Sequence, residues 1–211
     1  MISAEKALQR LKEGNLRFQS HDHADVDVDS ISRYQLVQAQ SPFAIILGCS
    51  DSRVPAELVF GQGLGDLFVI RVAGNIVAPS QIGSIEFAAE KFGTHLVVVL
   101  GHSMCGAVEA TLEQLQQDMD NRSPNLHAIV DRIRPAVESL VEFHNELDSE
   151  DNTCGIAPKL LNQAVRCNIK ASVNKLQQGS EILEALIKQN KLLIVGAEYF
   201  LETGEVEFFD R

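Results

Sequence analysis

Basic side chains are scarce in this sequence. Only 18 lysines and arginines stand against 29 aspartates and glutamates, a formal net charge of −11. Such a field repels phosphate backbones and anionic lipid, which excludes nucleic acid and membrane surfaces as expected partners. Long apolar runs are missing too. The longest continuous one, LVVVL at 96–100, is far too short to span a bilayer. The first residues, MISAEKALQRLKEGNLRF, are charged and amphipathic and carry no apolar core of a secretory signal. Four cysteines in 211 residues are too few for a disulfide scaffold. The expected compartment is therefore a reducing cytoplasm, where cysteines serve as thiols or metal ligands. Repeats, low-complexity tracts and linkers are absent as well. The length fits one domain over 1–211, with residues 1–35 as an amino-terminal helical arm.

What is present is ordinary globular material, 45% hydrophobic and 22% charged. Four short apolar runs, at 43–47, 67–71, 96–100 and 192–196, read as strands buried on both faces. Helical patterns alternate with them: 3–19 behind a Ser3 cap, 81–92, 105–117, 125–146, 157–178 and 180–190. The acidic stretch 146–155 reads as a loop. The last segment, 198–210, reads as two strand-like pieces around Thr203-Gly204. This alternation predicts an α/β fold: a mostly parallel central sheet flanked by helices, with an antiparallel carboxyl-terminal edge.

Parallel sheets bind ligands outside the carboxyl ends of their strands. Two chemically dense stretches fall there. GCSDSRVPAE (48–57) follows the first strand and sets Cys49, Asp51 and Arg53 at alternate positions. GHSMCGAV (101–108) follows the third strand and reads as the opening of a helix that brings His102 and Cys105 to one side of a turn. Two sulfurs and one imidazole suit zinc, and three protein ligands with a fourth position open is the catalytic arrangement. Arg53 beside Asp51 can clamp the carboxylate bidentately and fix its orientation. Asp51 then accepts a hydrogen bond from a water or hydroxide on the metal. Each feature alone has a plain explanation: a buried Cys, an unremarkable H-x-x-C, a surface ion pair. Their coincidence at two strand ends does not.

These residues resemble the β-class carbonic anhydrases. CSDSRV with GHSMCGAV matches that family's zinc signature, and LKEGNLRF (11–18), GDLFVIRVAGN (65–75), GSIEFAAEKFG (83–93) and VGAEYFLETGEVEFFD (195–210) are similar to other parts of it. The resemblance implies one Zn2+ per chain on Cys49, His102 and Cys105, an Asp51–Arg53 catalytic dyad, and reversible hydration of carbon dioxide to bicarbonate and a proton. It implies a homodimer or a higher homo-oligomer, a tetramer foremost, with the site at the subunit interface and the amino-terminal arm on the partner. It also implies a choice of subtype. One subtype closes its site with the Asp on zinc and builds a bicarbonate pocket from a Trp, an Arg and a Tyr. Arg71 and Tyr199 match that pocket, but the Trp position is Ile46 and the chain has no Trp. The plant-like open subtype places a Gln nine residues before the first Cys, as Gln40 stands here, and lines its substrate pocket with residues matched by Phe68, Phe87 and Gly106. The open subtype is the expectation, with Asp51 on Arg53.

Two thiolates donate more charge to a metal than imidazoles do, so activity is expected to rise with pH through neutrality. His21 and His23 stand in a polar stretch as possible proton carriers, though a solvated loop explains them as well. His95, His127 and His144 read as structural or surface residues. Cys167 reads as core and Cys154 as part of the acidic loop. The rival readings are a carbonyl sulfide or carbon disulfide hydrolase of the same family, a metal-free Cys-His hydrolase, and a non-enzymatic zinc-binding assembly module. A nucleotide-binding domain is disfavoured, since GQGLGD (61–66) does not fit the G-x-G-x-x-G spacing.

Overall fold

The computed structural model describes residues 2–20, 34, 36–117, 123–147 and 156–209. His21, His23 and Cys154 lie outside them. Strands β1 (Ala44–Gly48), β2 (Leu67–Arg71), β3 (Leu96–His102), β4 (Leu193–Tyr199) and β5 (Val206–Phe208) form one sheet in the order β2-β1-β3-β4-β5. The first four are parallel and β5 is antiparallel to β4. The α/β architecture read from the sequence is thus the one observed. The helices are α1 (Ala4–Gln19), a short α2 (Ala56–Val59), α3 (Pro79–Lys91), α4 (Gly106–Gln117), α5 (Pro124–Leu147), α6 (Pro158–Gln178) and α7 (Glu181–Lys188). A 3-10 turn at Ala73–Asn75 follows β2. Among the described residues no helix is long and apolar enough to cross a membrane.

Both faces of the sheet are covered, so its central strands carry continuous apolar runs and sort them by alternation. Ile45, Leu47, Val97, Val99 and Ile194 pack with Leu112, Ile133, Val137, Leu160 and Ile169 of α4, α5 and α6. Ala44, Ile46, Val98, Leu100, Val195 and Ala197 point the other way, against Ala7 and Leu11 of α1 and against Val59 and Phe60. Helix α1 is capped by the Ser3 hydroxyl, which accepts from the Lys6 N–H. It is anchored on its own chain by Asn15, whose amide donates to Val59 O and Gly204 O and accepts from Val206 N.

Strand order positions the site. The chain leaves β1 towards β2 on one side and leaves β3 towards β4 on the other. The carboxyl ends of β1 and β3 therefore flank the point where connections diverge, the crevice that open parallel sheets use for ligands. Gly48 pairs with Leu100, so Cys49 emerges from β1 beside the last residues of β3.

Candidate metal centre

His102 is the last residue of β3 and pairs with Tyr199 of β4. The helix after it begins only at Gly106. The H-x-x-C motif is thus a strand end followed by a tight turn, and not the helical turn that its spacing predicts. Met104 takes a left-handed φ of 55° in that turn. The turn is tied to the β4–β5 hairpin, because Ser103 N donates to Tyr199 O and Ser103 Oγ accepts from Leu201 N. Cys105 then stands at the amino terminus of α4 and its carbonyl accepts the first helical bonds from Val108 and Glu109. The Ala107 and Val108 amides are aimed at the Cys105 sulfur, where the end of a helix favours a thiolate.

One ligand atom each from Cys49, His102 and Cys105 lies within 4.8 Å of the others, and all three residues are buried. The Gly74 N–H donates to Cys49 Sγ at 3.4 Å. That contact requires the turn at 73–75, where Gly74 has φ 68° and Asn75 φ 43°. A Cβ on Gly74 would meet Ile133 at 2.8 Å, so both the conformation and the space call for glycine. Helix α6 pins the turn from behind: Asn168 Nδ2 donates to Gly74 O and Ser172 Oγ to Asn75 O. Hydrogen bonding from Cys105 pulls the Cys49 thiol down to about 4, against its burial, with His102 and backbone amides helping. The same bond and burial push Cys105 up.

His102 Nδ1 lies 2.9 Å from Ser103 O. The carbonyl can only accept, so Nδ1 carries the hydrogen and Nε2 keeps a free lone pair. Nε2 is fully buried and has no hydrogen-bond partner. An orphaned imidazole lone pair beside two convergent sulfurs is the state of a metal ligand whose other nitrogen is fixed by a backbone carbonyl. The donor set therefore fits a metal, and its softness and number fit zinc.

Asp51 and Arg53 stand at the mouth. Arg53 grips the carboxylate in a fork, Nε to Oδ1 at 2.9 Å and Nη2 to Oδ2 at 2.7 Å, and its backbone N–H adds a third bond to Oδ1 at 2.9 Å. Nη2 also reaches Met104 O at 3.3 Å, so the clamp spans both loops. The guanidinium holds the Asp51 carboxyl well below the usual carboxylate range, against partial burial. Asp51 Oδ2 lies 3.9 Å from His102 Nε2. Arg71, at the end of β2, donates to Cys49 O at 3.0 Å and to Asp51 O at 2.5 Å. It is thereby committed to shaping the 49–51 loop.

A family model described as carbonic anhydrase matches residues 44–206. The chain belongs to the β-carbonic anhydrase family. The carbonic anhydrase of Mycolicibacterium smegmatis is 34% identical to it over 95% of this chain and 91% of that protein. Carbonic anhydrase 2 of Mycobacterium tuberculosis is 36% identical over 97% of this chain and 92% of its own length. Among solved structures, the β-carbonic anhydrase CcaA superposes with a TM-score of 0.72 at 28% identity, covering 96% of this chain and 95% of that one. Hydration of carbon dioxide is the general reaction of β-carbonic anhydrases, and this chain is a carbonic anhydrase by membership.

The substrate-pocket residues named from the sequence divide. Gly106 is exposed directly beside Cys105, and a Cβ there would meet nothing within 4 Å. Gln40, Phe68 and Phe87 are not brought to the three ligands within one chain. Gln40 precedes β1 and is exposed, so it stands at the opposite edge of the sheet from Cys49. Phe68 pairs with Ile45, low on the edge strand β2, and packs with Phe87 and Phe92 at centroid distances of 6.3 and 6.0 Å. Phe87 is 51% exposed. His95 sits at the foot of β3, and His127 and His144 lie on α5. Cys167 is a free thiol on α6. Sequence reasoning missed Ser103, Gly74, Asn168 and the backbone role of Arg71. Only the left-handed turn at Gly74-Asn75 had a local signal, a glycine and an asparagine in succession.

Proposed function

We propose that this chain catalyses the reversible hydration of carbon dioxide to bicarbonate and a proton, with one Zn2+ held by Cys49, His102 and Cys105. The observation that carries the reading is the partnerless, buried Nε2 of His102 facing two sulfurs within 4.8 Å, with a clamped carboxylate 3.9 Å away. Zinc bound there supplies a nucleophile near neutral pH by acidifying a water it coordinates. The chain's own residues do the rest. Asp51 stays ionised and offers Oδ2 as an acceptor. Arg53 holds that acceptor in one orientation, and so would orient a nucleophile that hydrogen-bonds to Asp51. Because both carboxylate oxygens are engaged by Arg53 and the loop by Arg71, Asp51 remains off the metal, as the open subtype requires.

The pocket is completed by a second copy of the chain. Gln40, Phe68 and Phe87 lie away from their own ligands, and β2 is an edge strand with an aromatic flank. An edge that no strand among the described residues pairs, beside exposed Phe87, is a surface that oligomerisation covers. A partner's Phe68 and Phe87 then give the apolar wall that carbon dioxide needs, and its Gln40 donates a hydrogen bond to bicarbonate. Both thiols must stay reduced, which accords with a cytoplasmic setting.

The test is stopped-flow hydration of carbon dioxide from about pH 6.5 to 9, with metal content measured on the same sample and carbonyl sulfide assayed in parallel. One zinc per chain and turnover that climbs with pH is the expected result. Zinc with turnover on carbonyl sulfide alone would replace the substrate. Zinc with no turnover on either would make this an assembly module.

A further inference from the structure

The hairpin between β4 and β5 is gripped by helix α1 on one side and by the His102–Cys105 turn on the other. Its own bonds run from Phe200 N to Glu205 O at 2.8 Å and from Gly204 N to Phe200 O at 2.9 Å. From α1, Asn15 Nδ2 donates to Gly204 O at 2.8 Å, and Asn15 Oδ1 accepts from Val206 N at 2.9 Å. Asn15 Nδ2 also donates to Val59 O at 3.1 Å, and Oδ1 also accepts from Gln19 Nε2 at 2.7 Å. The whole hydrogen-bonding capacity of the amide is thus used, on a residue 3% exposed. A buried amide costs free energy unless it is satisfied in this way. Phe18, about one turn further along α1, packs on Tyr199 at a centroid distance of 6.4 Å. Helix α1 therefore sets where the hairpin stands.

The hairpin in turn holds Ser103. The Ser103 N–H donates to Tyr199 O at 3.0 Å, and its hydroxyl oxygen accepts from Leu201 N at 3.0 Å. Its carbonyl accepts from His102 Nδ1 at 2.9 Å. The first two bonds place the residue, and the third passes that placement to the imidazole. A peptide carbonyl cannot swing without its whole planar unit. The direction in which the Nδ1–H points is therefore set by residues 199–201 as well as by β3. The ring is fully buried and its Nε2 has no hydrogen-bond partner, so little else orients it. The next residue carries one contact of the clamp, since Met104 O accepts from Arg53 Nη2 at 3.3 Å.

We propose that Ser103 and Asn15 are positioning residues for the metal centre: Ser103 hands the placement of the β4–β5 hairpin to the His102 imidazole, and Asn15 fixes that placement from α1. The seating of the amino-terminal helix thereby governs how well His102 serves as a ligand, although α1 touches none of the three ligands through these bonds. The proposal rests on the metal-binding part of the reading above. Groups that orient a ligating imidazole through its other nitrogen have effects on metal affinity out of proportion to their own bond. A merely structural role would cost stability and leave the affinity and the state of the ring unchanged.

The test measures zinc affinity of the full chain by chelator competition. Ser103→Ala is expected to weaken zinc binding about 10- to 100-fold, and Ser103→Thr, which keeps the hydroxyl, to restore it to within about threefold. Asn15→Ala is expected to weaken it about 3- to 10-fold, and the double variant no more than Ser103→Ala alone within about twofold, because one residue acts through the other. Should Asn15→Ala not fold, Asn15→Asp, which keeps the acceptor for Val206 N and loses the donors, takes its place in the cycle. Thr94→Val is the control: Thr94 Oγ1 donates to Pro42 O at 2.8 Å just before the other end of β3, and its loss is expected to leave zinc affinity within about twofold. A second readout needs neither metal nor turnover. At about pH 8, above the ordinary imidazole pKa of about 6.5, the nitrogen-15 resonances missing in His102→Gln report which ring nitrogen holds the hydrogen. Metal-free wild type is expected to show it on Nδ1, Ser103→Ala to show a mixture, and Ser103→Thr to return to the wild-type pattern. Unchanged zinc affinity in Ser103→Ala, an equal loss in Thr94→Val, additive losses in the double variant or an unchanged ring would each overturn the positioning role. A wild type that takes up no zinc would instead sink the metal-binding reading, and the ring resonances would still decide whether Ser103 orients His102.

Discussion

Arg53 acts on Asp51 by geometry as much as by charge, and the two effects can be separated. An unperturbed Asp has a pKa of about 3.9, so Asp51 remains ionised near neutral pH even without its partner. The stability that the pair adds is present above that value and is lost only as pH falls through the depressed one. Arg53→Ala therefore removes orientation and leaves the charge. Its kcat/KM is expected to fall about 10- to 100-fold, by a factor that is constant from about pH 6.5 to 9. A loss confined to low pH would mean that Asp51 is titrating there, against this account. Glu198 runs with the opposite sign. Burial raises its folded pKa, so the folded state binds a proton more tightly than the unfolded one. Its contribution is fully present below the ordinary carboxyl value of about 4.3 and is lost as pH rises through the folded value. Glu198→Gln is accordingly expected to raise the melting temperature at pH 8 and to change it little at pH 4. A lower melting temperature at both pH values would show that the charge is not a burden.

At the scale of single elements, two glycines on helices make opposite predictions. Gly14 of α1 faces the start of the 60–62 turn, and a Cβ there would sit 1.8 Å from Phe60 O. The clash is with backbone, so α1 must lift and expose Ala7 and Leu11, which are otherwise fully buried. Gly14→Ala is expected to cost on the order of 1–3 kcal/mol in urea unfolding and to open α1 to proteolysis. Gly83 lies on α3 with nothing within 4 Å of its added Cβ. Gly83→Ala should stabilise by about 0.5–1 kcal/mol, because alanine loses less backbone entropy in a helix. Reading the sequence placed α1 and its Ser3 cap, since both follow from local patterning, and the buried face of α1 holds Ala7, Leu11, Gly14 and Asn15. It did not find that Gly14 and Asn15 complete that face. Their role depends on Val59, Gly204 and Val206, up to 191 residues away. The same limit explains His102. Its spacing to Cys105 reads as helical, yet β3 runs on to residue 102 because Tyr199 of β4 pairs with it.

Over the whole molecule, the open question is how one chain's pocket is closed. Among the described residues no strand pairs with the outer side of β2, and the aromatic trio Phe68, Phe87 and Phe92 lies beside it. Phe87→Glu places a charge on that flank of a molecule already at −11. It is expected to shift sedimentation towards the monomer and to lower kcat/KM, with zinc content retained, because the proposed ligands Cys49, His102 and Cys105 all come from one chain. Loss of zinc with the oligomer would mean that the metal centre itself needs the partner. The proposed ligands were readable because they sit at or just past strand ends with their neighbours in sequence, Asp51 and Arg53 beside Cys49, and Gly106 beside Cys105. Gln40, Phe68 and Phe87 were readable only by resemblance, and within one chain they stand apart from the metal centre.

The alternation of apolar runs and amphipathic stretches gave away the α/β class and the strands, because burial on both faces of a parallel sheet leaves a local mark in the chain, and the Cys and His side chains proposed as metal ligands stood out by their chemistry. The meeting of Cys49 with His102 across 53 positions depended on strand order, which sets β1 beside β3 at the point where the connections part. The orphaned Nε2, the Gly74 amide on Cys49 and the burial of Glu198 depended on packing between distant elements. Hydrogen bonding and burial are properties of the environment a residue folds into, and that environment is assembled from parts of the chain that no local pattern connects.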